Sequence, residues 1–584
     1  MQITLHQTHH KIADFEGIFT YIREHFDKKS TGIHIFPELF LTGYPLQDLC
    51  LQKSFVHEYL KFLDKLNSWL EENINTKKAC ILFGGLHYTL TKNRIPKKIL
   101  NVIYQFGDKA KGLTPVYTKR LLPNYDIFDE KKYFTKGSKS RVLNIFDKAY
   151  GVLICEDMWA SSFYELDPVQ DLLNSVESQK IQLDGIFNLS ASPFVLGKVQ
   201  KRIKRASHIS TLFQCPFYYT NRVGAEDEIL FDGSSFAIAG ENLIKQGTFF
   251  TPDIISIKES AHPISISTLK SDESHTWEEL FQADLDFAGD KVRLNPWSDE
   301  ECEEILKALC FGFQDYAQKN GFKKFTIALS GGMDSALVLT LIKLSLKPDQ
   351  YLEAVYMPSI YSRTISYDLS LALCQNLKIS LKTLPIKFLH STAKNLFQQT
   401  YSEPFEGLTD ENIQSRLRGT LLYTRSNQIN SMVVNTSNKS ELAVGYSTQY
   451  GDSVGAISML GDLYKSQVYR LAEYINQKYP ELIPEGIITR EPSAELREDQ
   501  VDTQSLPPYE ELDAMLEGIL NYRYTKKDLI NFGFSPQDVE KTLNMYKRNE
   551  YKRYQFCPII KVSIKSFGFG YRVPISKENS FYNK

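Results

Sequence analysis

The sequence predicts an α/β protein of two domains, the second of them built on a doubly wound parallel sheet. Three observations carry that expectation. An apolar run, Phe325 to Leu329, gives way to Ser330-Gly331-Gly332-Met333-Asp334-Ser335 and then to a helical pattern that begins near Met333. Beyond it, the strand-like segments Leu352 to Met357 and Leu381 to Ile386 alternate with helical ones such as Tyr367 to Leu377, the order that makes a parallel sheet with ligands at its strand carboxyl ends. In the first half, Gly32 to Phe36, Ile81 to Gly85, Val102 to Tyr104 and Tyr150 to Ile154 read as buried strands, whereas Val56, Tyr59, Leu60, Leu63, Leu66 and Leu70 recur at helical spacing.

A chain of 584 residues is long enough for about two to four domains. Weakened patterning places the boundary: residues 1–256 form the first domain, 257–295 a linker with one short helix around Glu278 to Phe281, and 296–584 the second domain. Ser298-Asp299-Glu300-Glu301 is a capping box, and it opens a helix whose buried face is Cys302, Ile305, Leu306, Leu309 and Phe313. The composition, 42% hydrophobic and 24% charged, is that of a globular protein. A formal net charge of −2 gives no pull toward nucleic acid or an anionic membrane, so an anionic ligand must be met by local groups. No apolar run reaches membrane-spanning length and no basic-then-apolar segment opens the chain, which reads as cytoplasmic. Eight cysteines without a C-x-x-C pair argue against a disulfide scaffold and a zinc ribbon.

The turn at Ser330 to Ser335 has the chemistry of a phosphate site. Two glycines let backbone N–H groups approach an anion, the helix that follows directs its positive end there, and Ser330 and Ser335 add hydroxyl donors. Asp334 is a candidate ligand for Mg²⁺. The spacing is neither G-x-x-x-x-G-K-[ST] nor G-x-G-x-x-G. It resembles the S-G-G-x-D-S loop of the ATP pyrophosphatases, which break ATP between its α- and β-phosphates.

Three residues in the first half are ambiguous singly. Glu38 stands between apolar dipeptides in Pro37-Glu38-Leu39-Phe40, where burial would raise its pKa unless a cation partners it. Lys119 lies in Tyr117-Thr118-Lys119-Arg120-Leu121-Leu122-Pro123, and Cys155 follows a buried strand in Ile154-Cys155-Glu156-Asp157. Together, in this order and with these neighbours, they resemble the nitrilase, or carbon-nitrogen hydrolase, superfamily. That resemblance implies an α-β-β-α sandwich over roughly residues 1 to 255 and a catalytic triad: Glu38 takes the thiol proton, Cys155 attacks a carboxamide carbon and Lys119 stabilises the oxyanion. It continues through Ala191-Ser192-Pro193-Phe194, Asn221-Arg222-Val223-Gly224 and Phe231-Asp232-Gly233, and implies glutamine contacts at Tyr125, Ser192 and Lys198.

In the second half, Glu411-Asn412-Ile413-Gln414-Ser415-Arg416-Leu417-Arg418 and the stretch Thr436 to Asp452 resemble the glutamine-dependent NAD synthetases, as do Pro492 to Arg497, Leu506-Pro507-Pro508-Tyr509 and Asn549 to Arg553. The resemblance implies a sheet of the adenine nucleotide alpha hydrolase type that takes ATP, with Mg²⁺ as cofactor, and deamido-NAD. ATP contacts would come from Ala328, Leu329, Ser330, Gly331, Gly332, Met333, Asp334, Ser335, Met357, Arg416, Thr436 and Lys465. Deamido-NAD would meet Asn412, Glu441, Tyr446, Ser447, Thr448, Gln449 and Lys552, with Asp334 and Glu441 as metal ligands. A homo-oligomer is also expected. Ser437 departs from the family, which has glycine there; a positive φ would make serine strained. Two alternatives stand beside this reading, another amidating ATP pyrophosphatase, as in GMP or asparagine synthesis, and a non-catalytic relative. The Glu, Lys, Cys set argues against the first and the intact loop against the second.

Overall fold

The computed structural model describes residues 1–93, 95–159, 164–258, 285–288 and 291–579. The chain divides into two compact units, Met1–Gln282 and Ala283–Lys584.

The first unit holds two six-stranded sheets. One runs β14-β1-β2-β3-β4-β5, with β14 at Asp253–Lys258, and the other β13-β12-β9-β8-β7-β6, with β13 at Asn242–Gln246. In the first, β1 (Gln2–Gln7), β2 (Gly32–Ile35) and β3 (Ala79–Leu90) are parallel, and β4 (Pro96–Gly107) and β5 (Thr114–Thr118) continue it antiparallel. In the second, β7 (Lys148–Ile154), β8 (Gly185–Ser190) and β9 (Phe217–Asn221) are parallel, flanked by antiparallel β6 (Val142–Ile145) and β12 (Phe236–Ala239). Alternation along the strands explains the layering. Cys80 and Leu82 face one core, which they share with Ile3, Ile33, Val152, Phe187 and Tyr218 of both sheets. Their neighbours Ile81 and Phe83 face another, with Ile18, Ile22, Phe62 and Leu66 of the helices Phe15–His25 and Lys53–Asn73. Strands covered on both faces read as unbroken apolar runs, which is why the sequence shows no polar alternation. The helices Pro168–Gln179 and Lys198–Phe213 belong to the second sheet: a Cβ on Gly151 of β7 would sit 2.8 Å from Leu172. The result is an α-β-β-α sandwich.

The second unit is organised on a five-stranded sheet of order β19-β18-β17-β20-β21 with every pairing parallel, its edges being β19 (Leu381–Thr383) and β21 (Ile457–Ser458). β17 (Lys324–Ala328) is central, with β18 (Tyr351–Tyr356) on one side and β20 (Met432–Asn435) on the other, so the strand order reverses beside it and leaves a crevice at the carboxyl ends. The helix Met333–Ser345 is apolar nearly all round and buried, with Leu337, Val338, Leu339 and Leu341 fully covered. The helix Asp299–Lys319 begins at the capping box, where Ser298 Oγ accepts from Glu301 N at 3.2 Å and Glu301 Oε2 from Ser298 N at 2.8 Å.

The segment 257–295 differs from the expected linker at both ends. β14 (Asp253–Lys258) pairs with β1 along its whole length and so belongs to the first sandwich. β15 (Leu285–Ala288) and β16 (Lys291–Leu294) form a hairpin whose Val292 and Leu294 enter the core with Leu512, Leu516 and Ile519 of the helix Tyr509–Leu520. The short helix expected around Glu278 to Phe281 lies outside the described residues.

Candidate active sites

In the first unit the three ambiguous residues stand just beyond three strand ends. Glu38 follows β2, Lys119 follows β5 and Cys155 follows β7. Asp157 ties two of those ends together. Its Oδ1 accepts from Arg120 N (3.0 Å) and Leu121 N (2.8 Å), and its Oδ2 from Tyr117 Oη (2.9 Å) and Ile154 N (3.1 Å). Four donors on one buried carboxylate thus fix the lysine segment of one sheet against the cysteine segment of the other.

Lys119 is 1% exposed and donates to Glu38 Oε1 (2.7 Å) and Glu130 Oε1 (2.8 Å). Glu38 also accepts from Asn101 Nδ2 (2.7 Å) at Oε1 and from Ala191 N (3.0 Å) at Oε2. The cation that the sequence left open is therefore Lys119. Burial opposes its charge, but Glu130 and Glu38 outweigh burial and hold it protonated. Glu130 is the member that the sequence reading did not select. Burial, together with the repulsion of Glu38, pushes it up to about 8, and Tyr44 Oη donates to its Oε1 at 3.0 Å. Two carboxylates thus share one ammonium in a dry site, Glu38 with three donors and Glu130 with two. Cys155 has φ 45°, at the turn from β7 into a short 3₁₀ segment, and is 7% exposed. Burial and then Glu38 raise its pKa while Lys119 lowers it, so the resting group is a thiol whose proton must move when it attacks.

Of the expected glutamine contacts, Tyr125 and Lys198 interact with Glu156, a second residue absent from the predicted set. Its Oε1 accepts from Tyr125 Oη (2.8 Å) and Tyr164 Oη (2.9 Å). Ser192 N donates to Asn221 Oδ1 (2.8 Å), and Ser192 O accepts from Arg202, itself paired with Asp232 at 2.7 Å. Lys198 is 4% exposed, and burial followed by Arg202 pushes it down to about 7.

In the second unit, the turn after β17 closes on itself. Gly332 N donates to Ser330 Oγ (3.2 Å), and Ser335 Oγ to Gly332 O (3.2 Å). Gly331 has φ 80°, and a Cβ there would lie 2.4 Å from the carbonyl oxygen of Ser366. Ala328 to Ser335, Met357, Thr436, Glu441, Tyr446 and Lys465 line one pocket at the carboxyl ends of the strands. Lys465 is 3% exposed, donates to Asp334 Oδ2 and stands 3.7 Å from Glu441 Oε1. Burial opposes its charge, and Asp334 and Glu441 override burial. Burial and then Asp334 raise Glu441 to about 8. Asp334 and Glu441 fit Mg²⁺, a cation that takes one or two carboxylates together with substrate phosphates, because both face one cationic position beside the phosphate turn. Among the described residues there is no cluster of three or more His, Cys, Asp or Glu side chains that would hold a metal by themselves.

Arg416 is exposed, donates Nε to Gln449 O at 3.2 Å and is not among the residues that line this pocket. Arg418 is. Two residues on a helix are about 200° apart, so only one of the pair can face the sheet. Asn412, Thr448 and Lys552 also lie off this pocket. Thr448 Oγ1 donates to Asn412 Oδ1 (2.7 Å), and Lys552 Nζ to Gly445 O and Ser447 O (2.7 Å each). Together with Gln449 they brace the turn that follows the helix Lys439–Val444. The segment Arg490 to Leu496, Asp452 and Asp502 form part of the pocket wall; its motif was visible, its place was not. Ser437 is not among the residues of positive φ, so serine carries no strain there.

Comparison with known proteins fits this geometry. The carbon-nitrogen hydrolase family model matches residues 2–245 and the NAD synthase family model residues 305–556. The glutamine-dependent NAD(+) synthetase of Synechocystis is 35% identical over 93% of this chain and 92% of its own length. The chain belongs to the glutamine-dependent NAD(+) synthetases. Another member of that family, from Thermotoga maritima, is 32% identical over 99% of this chain and 98% of its own. Among solved structures, the synthetase of Acinetobacter baumannii in complex with ADP superposes with a TM-score of 0.68 at 29% identity over 98% of each chain. That of Cytophaga hutchinsonii, at 17% identity and a TM-score of 0.76 over 100% of this chain and 99% of its own, shares the fold.

Proposed function

We propose that this chain makes NAD from deamido-NAD, ATP and glutamine, releasing glutamate, AMP and pyrophosphate. The observation that carries the proposal is the presence of two complete sites on one chain: a buried thiol governed by Glu38 and Lys119, and a glycine turn at a helix N-terminus with Asp334, Glu441 and Lys465 beside it.

In the first site, Glu38 accepts the Cys155 proton as sulfur bonds to the carboxamide carbon, and Lys119 offsets charge on the oxygen. The C–N bond breaks as Glu38 returns the proton to nitrogen, and ammonia leaves. Glu38 then takes a proton from water, which opens the thioester to glutamate and thiol. In the second site, a carboxylate oxygen of deamido-NAD attacks the α-phosphorus of ATP, pyrophosphate departs against the Gly331–Met333 turn, and ammonia displaces AMP from the acyl adenylate. Mg²⁺ held by Asp334 and Glu441 would supply charge stabilisation on the phosphates.

The test is isotopic. Deamido-NAD labelled with ¹⁸O in its carboxylate, turned over with ammonia and ATP, is expected to yield labelled AMP by mass spectrometry. Label in inorganic phosphate with ADP as co-product would mean attack at the γ-phosphorus, and the reading of the turn would fall.

Lys198 gives the first site a pH dependence. Its lowered pKa means that the charge is present below about pH 7 and lost above it. If it meets the glutamine α-carboxylate, KM for glutamine should rise above pH 7, by up to about tenfold per pH unit. Lys198→Arg should flatten that rise, because a guanidinium stays charged. Glutamate release measured from pH 6 to 9 checks both; the same rise in the arginine variant would remove Lys198 from substrate binding.

A further inference from the structure

The nucleotide pocket is lined by three cationic side chains, Lys465, Arg490 and Arg418. Lys465 is held between Asp334 and Glu441. Arg490 donates Nη1 to Ser366 Oγ at 2.8 Å and pairs through Nη2 with Glu495. Arg418 makes one hydrogen bond, from Nε to Met357 O at 2.9 Å, and forms no ion pair among the described residues. Its two terminal nitrogens have no hydrogen-bond acceptor among the described residues, and the side chain lines the pocket. Burial pushes Arg418 down to about 10, against the opposing pull of Tyr356, Glu495 and Asp452.

We propose that Arg418 is the residue that positions the α-phosphate of the nucleotide, in ATP and again in the AMP that leaves. The inference rests on the NAD synthetase reading of the pocket and assigns within it a group that the motif leaves undistinguished from Arg416. Three features select the α-phosphate. The Gly331–Met333 turn at the end of β17 supplies backbone donors for the pyrophosphate end. Met357, one residue past the neighbouring β18, stands at a strand end where backbone groups can meet the adenine. Arg418 is anchored on the Met357 carbonyl, so its fork lies toward the group that joins those two ends. A planar fork with two free N–H donors matches a phosphate, and Nε tethering fixes its plane before the ligand arrives.

The test compares Arg418→Met, Arg418→Lys and Arg416→Ala in the full-length enzyme with ammonia as nitrogen donor. AMP and adenosine are each measured as competitive inhibitors against ATP. Arg418→Met is expected to raise the AMP inhibition constant about 10- to 100-fold and leave that of adenosine within about twofold. Arg418→Lys should recover part of the loss, and Arg416→Ala should show none of it. A thermal unfolding profile that matches the unmodified enzyme's reports that each variant is folded. Retained AMP affinity in Arg418→Met would overturn the proposal, and so would an equal loss for adenosine, which would place the side chain on the base instead. If unmodified enzyme formed no AMP from ATP, the reading of the pocket itself would fall first.

Discussion

Cys155→Ala should abolish glutamine-dependent NAD synthesis, by at least about 10³-fold, while ammonia-dependent synthesis stays within about twofold. The reason is covalent. Glutamine is a poor donor until its carboxamide carbon is bonded to sulfur, and no other thiol lies beside the Glu38–Lys119 pair; Cys50 and Cys80 are buried in the sheet and helix packing of the same unit. Alanine also removes little else. Cys155 is held by its backbone at the end of β7, and the Asp157 clamp, which uses Arg120, Leu121, Tyr117 and Ile154, does not involve the sulfur. Measurement of NAD formed with saturating glutamine and then with ammonium at alkaline pH separates the two routes. Glutamate released by the variant at more than a few per cent of the native rate would displace Cys155 as nucleophile.

The complementary result comes from Gly331→Ala, which should cost ammonia-dependent synthesis at least about 100-fold and leave glutamate release intact. At φ 80° an alanine is strained, and its Cβ would meet the Ser366 carbonyl oxygen at 2.4 Å. Neither party can yield cheaply. The oxygen belongs to the backbone of the helix Thr364–Asn376, so the turn itself must shift. Strain and overpacking of about 2–4 kcal/mol would fall on the donors aimed at phosphate. Exchange of labelled pyrophosphate into ATP, dependent on deamido-NAD, reads the affected step directly. Exchange at half the native rate or better would show that the close approach to Ser366 has no catalytic consequence.

How far the sequence could be read depends on where each signal lives. Glu38, Lys119 and Cys155 could be picked out because the base, oxyanion cation and nucleophile proposed here suit these residue types, each near a strand end that an apolar run announces. Glu130 was not. It lies within the stretch Asp129 to Lys132, which looks like solvated surface until Tyr44 and Lys119 are folded over it. Glu156 stood inside a motif but had no chemistry until Tyr125 and Tyr164 converged on it. Arg416 and Arg418 are chemically equal neighbours on a helix with polar and apolar residues on all sides, so only packing decides which one looks inward. The hairpin at 285–294 was read as linker because two four-residue strands carry too few apolar positions to establish a period. β20 was missed for the same reason: Met432–Asn435 is four residues long, and parallel pairing with β17 gives it its identity.

Cys155 and Lys119 stand at the first position past β7 and β5 and Glu38 at the third past β2, and the strands are locked in register, with Ile154 opposite Leu189 and Ile35 opposite Leu82. Side chains alternate across a strand, so the loss or gain of a single residue between Tyr150 and Cys155 would turn the sulfur to the opposite face. Substitutions of similar size along β7 would leave it where it is. Descent in this family should therefore accept many exchanges of one apolar residue for another in these segments and almost no length changes, and lineage variation in length should gather in the surface connections instead. The same asymmetry guides anyone who grafts a new pocket onto this scaffold: the strands can be repainted, but they cannot be re-spaced.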